Sequence, residues 1–234
     1  MTLKKNNSPL SFPTKDQKET IIHDSRKERK ENNRFPRQGA EAIIYLKNNK
    51  ILKTRLKKSY RHPKLDKKIR TRRTKAETKI LEKAGKIIPV PKIIKSNQKN
   101  SEIEMEFIQG KKLSEYLDFF SLKKQEKIMF QIGQSLFKIH NIGIIHGDLT
   151  TSNMILKKDK IYFIDFGLSF LNGKYEDKGV DLYLLKQALN AKHFRNFKTL
   201  FNQFEIGYRS IKKKEAQKVF DRLKAIEKRR RYKN

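Results

Sequence analysis

The stretch from Ile144 to Ser169 limits what this chain can fold into more than any other. It places His146-Gly147-Asp148, then Asn153 five residues after that aspartate, then Asp165-Phe166-Gly167. Two short apolar runs in it flank a tight polar turn at Lys158-Asp159-Lys160. That pattern predicts a hairpin, with the acidic residues at its two strand ends.

Oxygen ligands in that arrangement suit metal-assisted phosphoryl transfer. A transferring phosphoryl group spreads negative charge, so its site needs cations and one carboxylate to orient or deprotonate the nucleophile. Mg2+ takes one or two carboxylates, an amide oxygen and phosphate oxygens. Asp165 and Asn153 are the expected metal pair, which leaves Asp148 for the nucleophile. H-x-D-x-x-x-x-N followed by D-F-G matches the catalytic and metal loops of kinases. The competing reading, a polar turn that spells this by chance, must produce two motifs in order.

Composition narrows the setting. Lys and Arg number 57 against 25 Asp and Glu, a net charge of +32. Polyanions are then natural partners, nucleic acid first; the alternative is Lys- and Asn-rich compositional drift with solvated charges. Hydrophobic residues are 36% of the chain, which predicts a modest core with polar tails. There is no cysteine, hence no disulfide or thiolate metal site. No apolar signal core, membrane-length run or P-loop motif occurs, so a soluble intracellular protein is expected.

Residues 1–33 are charged and lack apolar periodicity, and read as a flexible basic extension. Gln38-Gly39-Ala40-Glu41-Ala42, Ile43-Ile44-Tyr45-Leu46, Asn48-Asn49 and Ile51-Leu52-Lys53 then read as a glycine turn, strand, turn and strand. Gly39 stands where a kinase phosphate loop has three glycines. Lys53 follows two apolar residues, as in V-A-I-K, with Lys50 and Lys57 as rivals. His62 precedes Pro63, which predicts extended backbone and then a helix running to Gly85. Leu65, Ile69, Ala76, Ile80 and Ala84 form its expected buried stripe. Glu77 beside that stripe is the expected partner of the strand lysine; an i,i+4 surface pair with Arg73 is the alternative.

Val90–Ile94 and Ile103–Ile108 read as two further strands. Met105-Glu106-Phe107-Ile108 is the expected inter-lobe connector, whose backbone can bind an adenine edge, or else plain core. Ser121 reads as an N-cap of a helix buried through Ile128, Ile132, Leu136 and Ile139 and ended by Gly143. Another helix is expected from Gly179, with Asp181 near its start either bracing the catalytic loop or capping the helix. A last helix with Val219, Leu223 and Ile226 on one face ends in Lys228, Arg229, Arg230 and Arg231. The expected organisation is an α+β, bilobal protein-kinase-like fold. It has a small β-rich N-lobe at 34–110, a reduced helical C-lobe at 111–227 and a basic tail at 228–234.

Tyr60-Arg61-His62-Pro63 with Leu65-Asp66, Arg72-Arg73-Thr74, the run from His146 to Asn153, Ile164 to Ser169, and Glu176 to Tyr183 sharpen this reading. Together with 38–42, they resemble the atypical kinase family of the KEOPS complex (the PRPK family) over residues 35 to 234. The resemblance implies an ATP- and Mg2+-dependent ATPase and serine/threonine kinase that serves threonylcarbamoyladenosine formation at position 37 of ANN-decoding tRNAs. It implies the assembly's threonylcarbamoyl transferase subunit, a small dimerising subunit and tRNA as partners, no membrane, and a cytoplasmic or nuclear setting. It maps Lys53 and Glu77 onto the phosphate-holding pair and Asp148 onto the catalytic aspartate. Asn153 and Asp165 map onto the metal ligands, Gly39 onto the phosphate loop, and Lys228–Arg231 onto a basic tail. That tail lacks the family's usual Arg-Gly-Arg-Lys-Arg form.

Gly147 stands where kinases carry the arginine that grips an activation-loop phosphate, and the segment from Asp165 to Asp181 is short and lacks A-P-E. ATP hydrolysis, with water or the protein's own serines as acceptor, therefore fits better than efficient peptide phosphorylation. The alternatives are a RIO-like kinase acting on protein substrates and a degenerate kinase fold that binds tRNA or partners as a scaffold.

Overall fold

The computed structural model describes residues 34–39 and 41–231; the N-terminal extension and residues 232–234 lie outside it. The N-lobe is a five-stranded antiparallel sheet in the order β1-β2-β3-β5-β4, formed by β1 (Arg34–Gln38), β2 (Ala42–Lys47), β3 (Lys50–Arg55), β4 (Ile93–Asn97) and β5 (Glu102–Glu106). One long helix, α1 (Pro63–Ala84), completes it. Asn48 and Asn49 both take positive φ, 48° and 58°. That is the mirror-image two-residue turn whose twist matches paired strands. Pro89 and Pro91 precede β4, and neither can donate to a ladder. The strand expected at Val90–Ile94 therefore begins only at Ile93.

His62 is extended, at φ −55° and ψ 132°, and Pro63 opens α1. The buried stripe of this helix differs from the expected one. Asp66, Thr74, Glu77, Ile80, Leu81 and Ala84 face inward, whereas Leu65 is 53% exposed and Ala76 is exposed. The first half of α1 packs on polar partners rather than on a core. Asp66 accepts the Lys58 N–H (3.3 Å) and the Arg70 Nε–H (2.7 Å), and this turns Leu65 outward.

The C-lobe follows through β6 (Lys111–Lys112), α2 (Leu113–Tyr116) and α3 (Leu122–Asn141). Ser121 occupies the N-cap position, but its side chain makes no cap bond; its carbonyl accepts the Lys124 and Gln125 N–H groups. The expected face of α3 is buried: Ile128, Ile132, Leu136 and Ile139. A 3-10 turn (Thr151–Asn153) leads into the hairpin of β7 (Met154–Lys157) and β8 (Lys160–Phe163), whose turn residues Lys158 and Asp159 again take positive φ.

Helices α4 (Tyr175–Lys192), α5 (Phe197–Arg209) and α6 (Lys213–Arg231) close the lobe. Helix α3 crosses α5 where Gly133 faces Phe204 and Tyr208, and Gly207 faces Phe130, with no room at either glycine for a Cβ. Two sequence expectations change here. Helix α4 starts at Tyr175, with Asp177 accepting the Lys174 N–H (2.8 Å), so Gly179 lies inside it and gives α6 its close approach. Residues 228–231 continue α6 instead of forming a separate tail: Arg229 pairs with Glu176, and the Arg230 guanidinium lies 4.8 Å from the centre of the Tyr183 ring.

Candidate active site

Between the lobes, β3 and α1 bring two cations and a carboxylate together. Lys53 Nζ donates to Glu77 Oε1 (2.6 Å) and to Asp165 Oδ1 (2.7 Å). Lys53 is the strand lysine in this contact. Lys50 instead faces Glu104 on the sheet surface. Glu77 is 1% exposed and Arg73 pairs with Glu41, so the surface-pair alternative is not what forms. Burial alone pushes the Lys53 pKa down, but Glu77 and then Asp165 outweigh it and hold the ammonium above its ordinary value. Burial likewise works against the Asp165 carboxylate, and Lys53 overrides it, so its pKa is lowered.

Asp165 sits at φ +61°, a left-handed conformation uncommon for a residue with a side chain and one that clusters at functional sites. Its carboxylate also accepts the Gly167 N–H (3.2 Å). Phe166 is buried beside the His146 ring, with ring centres 4.8 Å apart.

The loop from His146 to Asn153 is tied down from three sides. Asp181, fully buried, accepts the N–H groups of His146 (2.7 Å) and Gly147 (2.9 Å). It does so from inside α4, not from its first turn. Burial would raise the Asp181 pKa, but His140 and the Gly147 N–H bring it below the usual carboxylate value. Asn153 Nδ2 donates to the Asp148 carbonyl (2.8 Å) and to its Oδ2 (2.9 Å), which leaves the Asn153 amide oxygen to offer a ligand. His193, at the end of α4, contacts Asp118 through Nδ1 (2.9 Å) and Thr151 through Nε2 (3.2 Å).

Gly147 takes φ +82°, and a Cβ there would lie 2.5 Å from the Leu168 carbonyl. The close approach of the segment after Gly167 thus requires glycine, and an arginine at this position has no place. Only residues 168–174 separate Gly167 from α4.

Two buried histidines support the loop. His140 Nε2 lies 3.2 Å from Asp181 Oδ2, and its Nδ1 lies 2.8 Å from the Tyr208 hydroxyl. His146 Nε2 lies 3.2 Å from the Ile164 carbonyl, and its Nδ1 takes the Asp148 N–H (3.3 Å). Each ring donates once and accepts once, as neutral imidazole does. Burial lowers both pKa values despite Asp181 nearby. As pH falls through about 6.5, the unfolded chain gains protons that the folded one refuses. Stability is therefore expected to decrease from pH 7.5 to pH 5.5, approaching about 1.4 kcal/mol per pH unit for each histidine. Urea midpoints across that range read this directly; a flat profile would contradict it.

Other predicted residues stand apart from the ion cluster. Gly39 is exposed in the turn between β1 and β2, its N–H bonded to the Ala42 carbonyl; Ala40 lies outside the described residues. Glu106 ends β5, where its N–H is taken by the Lys92 carbonyl and its carboxylate faces Lys157 at 3.6 Å. Lys228, Arg229 and Arg230 lie on α6, the last two against α4. Sequence reasoning missed Arg55, His140, His193 and Thr151. Arg55 alone carried a signal, since it lies two residues from Lys53 on one strand and so shares its face.

The donor set suits Mg2+. Asp165 is 46% exposed at its side chain and Asn153 offers an amide oxygen, while no group of three or more His, Cys, Asp or Glu side chains able to hold a metal exists among the described residues. Mg2+ draws its remaining ligands from water and phosphates, so it needs no protein cage.

A sheet lysine held by a helix carboxylate, above a braced H-x-D loop and a D-F-G turn, defines the protein-kinase-like class of enzymes. The RIO domain family model matches residues 24–173. The chain is 39% identical over 208 residues to the KEOPS complex subunit Bud32 of Pyrococcus abyssi, covering 84% of this chain and 94% of that protein. It is 36% identical over 195 residues to a probable serine/threonine-protein kinase BUD32 homolog of Archaeoglobus fulgidus, covering 83% and 94%. A probable bifunctional tRNA threonylcarbamoyladenosine biosynthesis protein of Methanobrevibacter smithii shares 40% over 202 residues, 83% of this chain but 36% of that longer protein. This chain belongs to the Bud32 family of RIO-domain proteins.

Proposed function

We propose that this chain is the Mg-ATP-dependent ATPase and atypical serine/threonine kinase subunit of a KEOPS assembly, supporting threonylcarbamoyladenosine formation at position 37 of ANN-decoding tRNAs. The observation that carries this is the contact of Lys53 with both Glu77 and Asp165, next to a loop held by Asp181. Lys53, oriented by Glu77, would grip the nucleotide phosphates. Asn153 and Asp165 would hold Mg2+, which neutralises charge on the transferring phosphoryl group. Asp148, fixed by Asn153, would orient the attacking oxygen. The Gly39 turn would cover the phosphates, and the connector at Glu106 would meet the adenine edge. The cleft then divides an N-lobe at 34–110 from a C-lobe at 111–227.

Water or the chain's own serines suit this site as acceptors better than peptides do, because residues 168–174 offer little platform and Gly147 replaces a phosphate-gripping arginine. The transferase subunit, the small dimerising subunit and tRNA are the expected partners, in cytoplasm or nucleus. Among the described residues no helix is long and apolar enough to cross a membrane. The cations at 228–231 and the net charge of +32 are consistent with a tRNA contact.

ATP hydrolysis by the purified chain with Mg2+, with and without tRNA and the transferase subunit, tests the reading. Turnover is expected to rise with both, and its tRNA-dependent part to fall with added salt. No turnover in any mixture, with tRNA binding retained, would leave a scaffold.

A further inference from the structure

We propose that Arg55 is a positioning residue for nucleotide binding: by holding the second oxygen of Glu77, it leaves Lys53 free to exchange Asp165 for the nucleotide phosphates. This rests on the Mg-ATP reading above. Lys53 and Arg55 are two apart on β3 and both reach α1. Glu77 divides its carboxylate between them, Oε1 to Lys53 and Oε2 to an Arg55 terminal nitrogen. With Asp165 the cluster holds two positive and two negative charges, and only the Asp165 end is open to water.

Nucleotide entry must reorganise this cluster. Asp165 is wanted by the metal and Lys53 by the phosphates, so their 2.7 Å contact has to open. Were Glu77 then to face Lys53 alone, both its oxygens could close on the ammonium in a buried, low-dielectric setting. That pair would compete with the phosphates for the same charge. Arg55 prevents it. Its planar guanidinium keeps its charge and a fixed direction, which a second lysine would not. Glu77 therefore stays in place through the exchange, with one oxygen for Lys53.

Two further observations describe the setting of this arginine. Arg55 Nε is the one buried side-chain polar atom among the described residues that lacks a hydrogen-bond partner. Gly167 also sits on the cluster: a Cβ there would be 3.0 Å from Asp165 Oδ1, 3.2 Å from Lys53 Nζ and 3.7 Å from the Arg55 terminal nitrogen. The D-F-G turn therefore packs against the same ions whose exchange it must allow.

Arg55→Gln, Arg55→Met and Arg55→Lys in the full chain test the proposal, each with thermal melting, calorimetric Mg-ATP titration and steady-state turnover. The Gln and Met variants are expected to weaken Mg-ATP binding and raise the KM for ATP at least tenfold, with kcat changed less; the Lys variant should fall between them and wild type. A residue that serves folding alone would shift melting and leave Kd and KM where they were, and that result in folded Gln and Met variants overturns the proposal. If those two do not fold, the Lys variant decides: unchanged Kd and KM overturn it. A wild type that binds Mg-ATP without turning it over refutes the ATPase reading but not the positioning role, which the Kd shift still judges. A wild type that binds no Mg-ATP removes both.

Discussion

Replacing Asp165 by Ala is expected to reduce Mg-ATP turnover by about two to three orders of magnitude while the chain stays folded. The carboxylate is the open end of the ion cluster, 46% exposed at its side chain, in a left-handed backbone position that no apolar packing requires. Its loss removes one of two oxygen donors proposed for the metal and the second partner of Lys53. Removing one preorganised electrostatic group from a phosphoryl or acyl transfer site costs a hundred- to a thousandfold in kcat as an order of magnitude, about 3–4 kcal/mol. Stability should change far less, about 1 kcal/mol or below, because solvent already screens this end of the pair. Asp148→Asn belongs to the same experiment. It keeps the partner of Asn153 in shape while removing the carboxylate, with an expected loss of roughly a hundred- to ten-thousandfold. Single-turnover ATP hydrolysis, alongside a melting curve for each variant, separates chemistry from folding. Wild-type kcat in a folded Asp165→Ala chain would take Asp165 out of the mechanism.

Glu77→Ala is expected to act in the opposite order, on stability first. One buried carboxylate holds two buried cations, and its removal leaves Lys53 with only the solvent-facing Asp165 and Arg55 without its Glu77 partner. Breaking a buried ion pair from one side costs about 3–5 kcal/mol, most of it the penalty for the charge left behind. For a chain of this size that corresponds to a fall in melting temperature on the order of 10 °C. Lys53 can then shed its charge or stay paired with Asp165 alone, and turnover should fall with it. Glu77→Gln fills the space without the charge and should recover little. A melting shift of only about 2 °C would mean that water enters the cluster and screens it.

These effects concern residues that sequence reasoning reached by different routes. Lys53, Asp148, Asn153 and Asp165 lie in or beside hairpins with strong local signals. Asn48-Asn49 and Lys158-Asp159 are turns that set strand register, and register sets which side chains face the cleft. Arg55 was legible in principle from the two-residue period, but a cation on a strand of such a basic chain has no reason to look different from its neighbours. His193 and His140 were not legible at all. Their partners lie 75 and 41 residues away, on elements that only packing brings near.

The departures from expectation share a cause. Periodicity in α1 correctly gave a helix with one inward face, but it aligned the apolar residues, and the structure turned Leu65 outward because Asp66 and Glu77 had cations to meet inside. Gly179 resembled a helix start, yet α4 begins at Tyr175, because what the glycine serves is the approach of α6. The terminal cations resembled a tail, yet Arg229 found Glu176 and Arg230 found Tyr183 on a neighbouring helix.

The sequence by itself therefore determined the elements, the hairpins, the order of the lobes and the residues proposed for phosphoryl chemistry. All of these depend on neighbours within a few positions. Tertiary structure alone decided which faces went inside and which charge met which. Burying an ion is costly until a specific counter-ion arrives from elsewhere in the chain, and that arrival, together with the burial of Ile80, Leu81 and Ala84, oriented α1 and built the site.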